Sequence, residues 1–221
     1  MIWAGHIAAA GWSPTVVTAI AATRKRPLWE ITMVAPSKFA HVVFNTHRYE
    51  EMIDWYTRVF EARVQHRDDR LAFLTYDDEH HRFAFVNLGP AKDNAAERPV
   101  NAAGLNHLAY TWRNLEELID TYARLKSQSV MPSRPIRHGL TLSLYYRDPD
   151  GNGLEFQIDL MGTEAANEFM SGPAFAANPI GEPFDPDALA ARLAEGKPVN
   201  DLIFRSDQAE SKAAPGHRDV A

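Results

Sequence analysis

The sequence contains no cysteine among its 221 residues, although it has nine histidines. This absence excludes disulfide scaffolds, thiolate zinc fingers, iron–sulfur clusters and cysteine nucleophiles. Any metal site must therefore be built from imidazole and carboxylate groups. We expect a cytoplasmic protein, because a chain that needs no disulfide is compatible with a reducing compartment.

The chain also lacks an excess of positive charge. Lys and Arg together number 23 against 29 Asp and Glu, which gives a net charge of −6 and a sequence pI of about 5.8. Nucleic acids and anionic membranes attract clusters of basic residues, and this composition offers none in excess. We therefore expect neither of them as a partner.

No long hydrophobic run is present. The most apolar stretch, residues 7–22, is interrupted by Gly11, Ser13 and Pro14. A membrane-spanning helix needs about 18 or more consecutive apolar residues. The stretch is also a poor signal peptide, because the basic residues at 24–26 follow the apolar segment instead of preceding it.

The composition, 45% hydrophobic and 24% charged, is typical of a globular protein. We predict a poorly ordered N-terminal extension at 1–35, a single domain at 36–161, and a wrapping C-terminal arm at 162–221 with a short helix and a disordered tail. The helix is indicated by Asp185 and Pro186, which suit its first positions. Proline-rich arms of this kind often pack on a second subunit, so we also expect a homo-oligomer.

An internal repeat organises the middle of the chain. Residues 41–59 recur 66 positions later, with seven identities in 19 positions. One of the identities pairs His41 with His107. Two copies are too few for a solenoid, so the repeat indicates a duplicated unit.

Each copy begins with a strand-like run, continues with apolar residues at helical spacing, and ends with three further strand-like runs. The sequence thus predicts an α+β fold of two tandem βαβββ modules, at 38–88 and 104–160, forming a cupped mixed β-sheet. A pocket is expected between the paired modules. The strand-like runs that follow the helices are residues 62–66, 70–76 and 81–88 in the first copy and 130–131, 140–146 and 153–160 in the second.

The duplicated histidines point to a metal site. Equivalent residues of two paired modules face each other, so we expect His41 and His107 to approach on the inner surface. Strand alternation places Glu155 on the face opposite to its large apolar neighbours, and the first copy has Ala84 at the equivalent position. Taken singly, each residue suits an ordinary structural role. Together they give two imidazoles and one carboxylate, a set that leaves metal positions open for substrate and dioxygen.

These residues resemble those of the vicinal oxygen chelate superfamily and, within it, the single-domain type I extradiol ring-cleaving dioxygenases. The resemblance spans Lys38 to Leu160. It implies the vicinal oxygen chelate fold, and it implies that His41, His107 and Glu155 hold the metal.

Three further residues match the catalytic residues of that family. His81 lies three positions before Ala84, and Tyr145 lies ten positions before Glu155. His138 precedes the tyrosine at an interval slightly shorter than the family pattern. The resemblance implies that His81 is the acid–base group, that Tyr145 hydrogen-bonds a catecholate oxygen, and that His138 orients or shields the same region.

The resemblance implies an Fe(II)-dependent enzyme, with Mn(II) as a possible metal, that cleaves catechol-like or 2,3-dihydroxybiphenyl-like rings with O₂ as co-substrate. One alternative is a metal-dependent lyase or isomerase of the glyoxalase type, which would favour a glutamate at position 84. Another is a non-enzymatic binding protein of the bleomycin-resistance type, which has no such metal triad. The sequence also leaves open whether Arg134 or Arg137, predicted in a loop, pairs with a substrate carboxylate or is solvated.

Overall fold

The structure is a computed structural model that describes residues 35–91 and 103–203. The expected N-terminal extension lies outside the described residues except for its last position. Most of the segment between the two modules and the expected disordered tail also lie outside them. From Ala40 onward, the described residues belong to one unit.

The first module has the predicted order of one strand, one helix and three strands. Its elements are β1 (Val42–Thr46), α1 (Tyr49–Phe60), β2 (Arg63–Arg67), β3 (Leu71–Thr75) and β4 (Phe83–Asn87).

The second module repeats this order, and the C-terminal arm follows it. The module consists of β5 (His107–Thr111), α2 (Leu115–Ser127), β6 (Arg134–Arg137), β7 (Thr141–Arg147) and β8 (Gly153–Asp159). The arm consists of α3 (Thr163–Ser171), α4 (Pro173–Ala177), β9 (Glu182–Pro183), α5 (Pro186–Ala194) and α6 (Val199–Ile203).

Both sheets are mixed, and they share one topology. The order is β1-β4-β3-β2 in the four-stranded sheet and β5-β8-β7-β6-β9 in the five-stranded sheet. In each, the first strand of the module pairs in parallel with the last, and the other pairs are antiparallel. The predicted α+β fold of two βαβββ modules is confirmed.

The register of the parallel pairs confirms the duplication residue by residue. Val43 lies opposite Ala84 in the first sheet, and Ala109 lies opposite Glu155 in the second. Val43 and Ala109 are 66 positions apart, as the repeat requires. Ala84 therefore occupies the place of the glutamate in the first module.

The two helices form because their apolar residues recur at helical spacing and cover one face of each sheet. The N-cap of α2 is Asn114, whose side chain accepts a hydrogen bond from the backbone N–H of Glu117. Within the described residues, no helix is both long and apolar enough to cross a membrane. The fully buried side chains of α1 and α2 are those of Met52, Tyr56, Val59, Leu115, Leu118, Tyr122 and Leu125.

One hydrophobic core extends through both modules. Phe60, at the end of α1, contacts Tyr110 and Phe156 of the second module, with ring centroids 4.7 and 5.3 Å apart. Arg124 of α2 donates hydrogen bonds to the carbonyl oxygens of Arg58 and Val59. A guanidinium at the carboxyl end of a helix is favoured by the helix dipole, so this contact joins the modules electrostatically as well.

The strand predicted at 130–131 is wrong. Those residues belong to the turn that closes α2, in which Ser129 has a φ of 63° and the N–H of Val130 bonds to the carbonyl of Leu125. The strand lies instead at β6, where it pairs with β7. Arg134 and Arg137 are consequently strand residues and not loop residues.

The C-terminal arm is more ordered than the sequence indicates, since α3 and α4 were not predicted. The short helix α5 was predicted, and the carboxylate of Asp185 accepts from the N–H groups of Asp187 and Ala188 as an N-cap does. The arm packs on its own chain, because β9 extends the second sheet and α5 contacts α2. The homo-oligomer remains a prediction.

A buried carboxylate holds the modules together where α1 meets the turn before β8. Asp148 is 5% exposed and accepts a hydrogen bond from the Tyr56 hydroxyl at 3.0 Å. It also accepts from the backbone N–H groups of Asp150 and Asn152 and from the Asn152 side chain. Burial raises the pKa of Asp148, and these hydrogen bonds oppose that effect.

We predict that Asp148→Ala lowers the free energy of unfolding by about 2–4 kcal/mol, because it leaves the buried Tyr56 hydroxyl and the turn without their acceptor. Urea denaturation followed by circular dichroism measures the loss.

Asp54→Ala is the control for this prediction. Asp54 forms an exposed ion pair with Arg58, one helical turn along α1, and such pairs contribute about 0.3–0.5 kcal/mol. An equal loss in both variants would contradict the role of Asp148.

Candidate active site

The candidate site lies on the face of the second sheet that points away from the core. Leu154, Phe156 and Ile158 are buried on the core side of β8, and Glu155 points to the opposite side, as strand alternation predicts. Tyr145 lies directly across from Glu155 on the neighbouring strand. Glu155 is nevertheless only 6% exposed, so its carboxylate is covered by the side chains around it.

Four of the six predicted site residues form one cluster. The Nε2 atom of His107 lies 3.0 Å from Oε2 of Glu155, and the Tyr145 hydroxyl donates to Oε1 at 2.9 Å. The Nε2 atom of His138 lies 2.9 Å from the Tyr145 hydroxyl and 3.8 Å from Oε1 of Glu155. Both carboxylate oxygens therefore have a partner.

Burial dominates the electrostatics of this cluster. It raises the pKa of Tyr145, and the hydrogen bond to the Glu155 carboxylate raises it further. It lowers the pKa of His138, against the attraction of the same carboxylate. The tyrosine is therefore neutral in this state and can act as a hydrogen-bond donor.

The other two predicted residues form a separate contact in the first module. The rings of His41 and His81 are 4.4 Å apart between centroids, and His81 also packs edge-on against Phe73 at 4.9 Å. Burial and then the neighbouring His41 and His80 lower the pKa of His81. Among the described residues, no contact joins His41 to His107. Their expected approach stays a prediction.

The donor set of the cluster suits a metal ion. Two donor atoms bound to one ion at about 2.1 Å and at a right angle lie about 3 Å apart, which is the separation of His107 Nε2 and Glu155 Oε2. Within residues 35–91 and 103–203, no three His, Asp or Glu side chains come close enough together to surround an ion. The pair fits two positions of a site, and His41 as the third ligand remains a prediction.

Asn106 is a residue of the site that the sequence did not reveal. Its side-chain oxygen lies 2.7 Å from Nδ1 of His107, so Nδ1 must be the donor. With the proton on Nδ1, Nε2 can present its lone pair to a metal ion bound beside Glu155. Such a contact between adjacent residues has no periodic signal in a sequence.

Gly153 allows β8 to approach β5 beside this histidine. A Cβ atom at position 153 would lie 2.5 Å from the carbonyl oxygen of Asn106 and 3.0 Å from Cβ of His107. A larger residue would push the two strands apart. The glycine thus brings His107 and Glu155 within contact distance of each other.

The two arginines before His138 have different roles. The guanidinium of Arg137 donates to the backbone carbonyls of Leu202 and Ile203 and thereby binds the arm. The guanidinium of Arg134 lies 4.6 Å from the ring centroid of Tyr145, on the site face. Of the two, Arg134 borders the candidate site.

A cleft of about 760 Å³ lies elsewhere, between the end of α1, β5 and α2. None of the six predicted site residues lines it. Its wall includes Tyr76, Tyr110 and Trp112 together with several charged side chains of α2.

Comparison with known proteins gives one family model and several relatives. The model described as Glyoxalase/Bleomycin resistance protein/Dioxygenase superfamily matches residues 38–156. The chain is 46% identical over 169 residues to "Biphenyl-2,3-diol 1,2-dioxygenase 2" of Rhodococcus globerulus, covering 76% of this chain and 87% of that protein. It is 39% identical over 175 residues to "Biphenyl-2,3-diol 1,2-dioxygenase 3" of the same organism, covering 79% and 91%.

Solved structures also align with the chain. One is a lactoylglutathione lyase from Agrobacterium tumefaciens, with a TM-score of 0.44 and 18% identity over 56% of this chain and 94% of that one. The family assignment follows from the model, which covers more than half of the chain, and from the two relatives, which match over most of their length. This chain belongs to the glyoxalase/bleomycin resistance protein/dioxygenase superfamily.

Proposed function

We propose that the protein is an extradiol ring-cleaving dioxygenase, which opens the ring of a catecholic substrate and incorporates both atoms of O₂. The observation that carries the proposal is the buried Glu155 carboxylate, held between His107 and Tyr145 on one sheet face. The names of the two Rhodococcus globerulus relatives support the same reaction.

The proposed metal ligands are His41, His107 and Glu155. Fe(II) is the proposed ion and Mn(II) the second choice, since both accept two imidazoles and one carboxylate. When bound, the metal supplies Lewis-acid and redox chemistry and positions for the catechol and O₂. His41 packs against His81, so the proposal requires the His41 ring to turn toward the Glu155 side when the ligand set is complete.

Tyr145 and His138 are proposed to bind the substrate's hydroxyl oxygen. The Tyr145 hydroxyl can exchange its bond to Glu155 for one to a catecholate oxygen without leaving its strand, and His138 supports that hydroxyl at 2.9 Å. Each group is fixed before the substrate arrives, which reduces the cost of orienting it.

His81 is proposed as the acid–base group. Its ring lies beside His41 and is shielded on one side by Phe73. An imidazole there can hold a proton and deliver it to an oxygen atom when the O–O bond breaks. His80 contacts His81, with Nδ1 atoms 2.6 Å apart, but its side chain is largely exposed.

A glyoxalase-type lyase or isomerase is less compatible with the site. That reaction favours a second carboxylate in the first module, and the register position of Glu155 is filled there by the methyl group of Ala84. A binding protein without metal would not need an imidazole and a carboxylate in contact on a buried face.

The function is tested by anaerobic loading of the protein with Fe(II), followed by admission of air with 2,3-dihydroxybiphenyl or catechol. We expect a yellow ring-fission product and oxygen uptake in equal amounts. Retention of Zn²⁺ or Ni²⁺ without reaction would instead support the glyoxalase-type activity, and failure to bind any metal would support a binding protein.

We predict that His107→Ala and Glu155→Ala each abolish stoichiometric iron binding, because each removes one of three ligands. Metal analysis after anaerobic loading measures the iron bound by each variant. Matched controls are His47→Ala and Glu116→Ala, which alter exposed side chains outside the site and should keep the iron. Iron retained in both site variants would show that the ligands are wrong.

We predict that His81→Phe keeps the iron and loses about 10²- to 10⁴-fold in turnover, the usual contribution of a positioned acid–base group. Phenylalanine preserves the packing against Phe73 and removes only the ring nitrogens. Steady-state oxygen uptake, with iron content measured on the same sample, gives the result. Normal turnover by this variant would exclude the assigned role.

A further inference from the structure

The C-terminal arm reaches the candidate site at His138. This histidine follows the last residue of β6, and its Nε2 atom faces the Tyr145 hydroxyl. The backbone of Ile180, which belongs to the arm, also lies near this ring and opposes the lowering of its pKa. The histidine thus lies between its own module and a segment about forty residues later in the sequence.

The turn that carries Ile180 is closed by one side chain. Oδ1 of Asn178 accepts from the N–H of Gly181 at 2.9 Å, and Nδ2 donates to the Gly181 carbonyl at 3.2 Å. Nδ2 also donates to the carboxylate of Glu182, the first residue of β9. Because Glu182 pairs with Arg137, the turn is fixed beside the backbone of His138.

Gly181 lies so close to this backbone that only glycine fits. Its φ is +83°, which disfavours other residues. A Cβ atom there would overlap the carbonyl oxygen of Arg137 and lie 2.7 Å from Cα of His138.

The arm also covers the position after the histidine. A Cβ atom on Gly139 would lie 2.6 Å from the ring of Phe169 in α3. Both neighbours of His138 in the chain are therefore in contact with the arm.

We propose that the turn from Asn178 to Gly181 is a positioning element of the active site, which holds the His138 ring against Tyr145. Gly181 and Asn178 are positioning residues, since they act through the histidine. The consequence for catalysis rests on the proposed function, whereas the consequence for the ring does not. Sequence patterns assign no such role to a proline-rich arm, because the contact joins distant segments.

The first test observes the histidine ring directly. The full chain, free of metal and labelled with ¹⁵N in its histidines, is compared by NMR with Gly181→Ala, and the His138 signals are identified by their loss in His138→Phe. We expect Gly181→Ala to shift the ring signals of His138 toward those of a free imidazole and to speed exchange of its ring N–H. Unchanged signals would overturn the proposal.

Gly196→Ala is the matched control. Gly196 has a φ of +74°, and no atom lies within 4 Å of a Cβ built on it. Both substitutions therefore place an alanine in the strained left-handed region of backbone conformation. Only the alanine at position 181 would also meet the backbone of His138. We expect Gly196→Ala to leave the His138 signals unchanged, and an equal shift in both variants would also overturn the proposal.

Asn178→Ala keeps the test decisive if Gly181→Ala does not fold. It opens the turn without inserting an atom against the backbone, so a smaller shift of the same His138 signals is expected. No shift in this variant would count against the proposal in the same way.

The second test uses a double-mutant cycle on catechol turnover. Gly181→Ala should lower kcat/KM by about 10- to 100-fold in the wild-type background and should have no further effect in the His138→Phe background. If the losses in kcat/KM of the two single variants multiply in the double variant, the positioning role is overturned. A purely structural effect of Gly181→Ala would be independent of His138. A wild-type protein without ring cleavage would refute the proposed function and leave the NMR result to decide the role of the turn.

Discussion

The parallel pairing between the first and the last strand of each module is the constraint on which the site depends. It places the beginning of the module beside its end, so that residues almost fifty positions apart share one sheet face. In the second module this pairing brings the histidine at the start of β5 next to the glutamate of β8. The pairing is close because Gly153 carries no side chain, and it is correctly registered because the core face of β8 is continuously apolar.

The same pairing shows how the duplicated modules have diverged. Both retain the histidine at the first strand, but only the second has a carboxylate at the partner position. A buried carboxylate is costly unless its oxygens are satisfied, and in the second module Tyr145 donates to one oxygen while the other faces Nε2 of His107. The first module avoids the cost altogether through Ala84. The two modules therefore differ in charge at equivalent positions of the same fold.

The sequence predicted the parts of this structure that depend on local periodicity. The two modules, the burial of the α1 and α2 faces, and the orientation of Glu155 followed from spacing alone, because one sheet or helix face must be apolar. The position of β6 could not be predicted, because Pro132 and Pro135 hide its strand pattern and its partners are distant in sequence. Asn106 and the arm's contact with His138 were missed for a related reason, since they depend on side-chain geometry and not on pattern. The proximity of His41 to His81 likewise depends on side-chain orientation.

A pair of equivalent tyrosines shows that the arm and the second module supply the same kind of contact. Tyr56 and Tyr122 are 66 positions apart, and each buries a ring whose hydroxyl requires an acceptor. Asp148 of the following module accepts from Tyr56, whereas Asp187 of α5 accepts from Tyr122 at 2.8 Å. The arm therefore gives the second module the hydrogen-bond acceptor that the second module gives the first. A capping repeat covers the exposed face of a repeat protein in a similar way. The acceptor that Tyr122 needs is thus supplied by the arm and not by another βαβββ module.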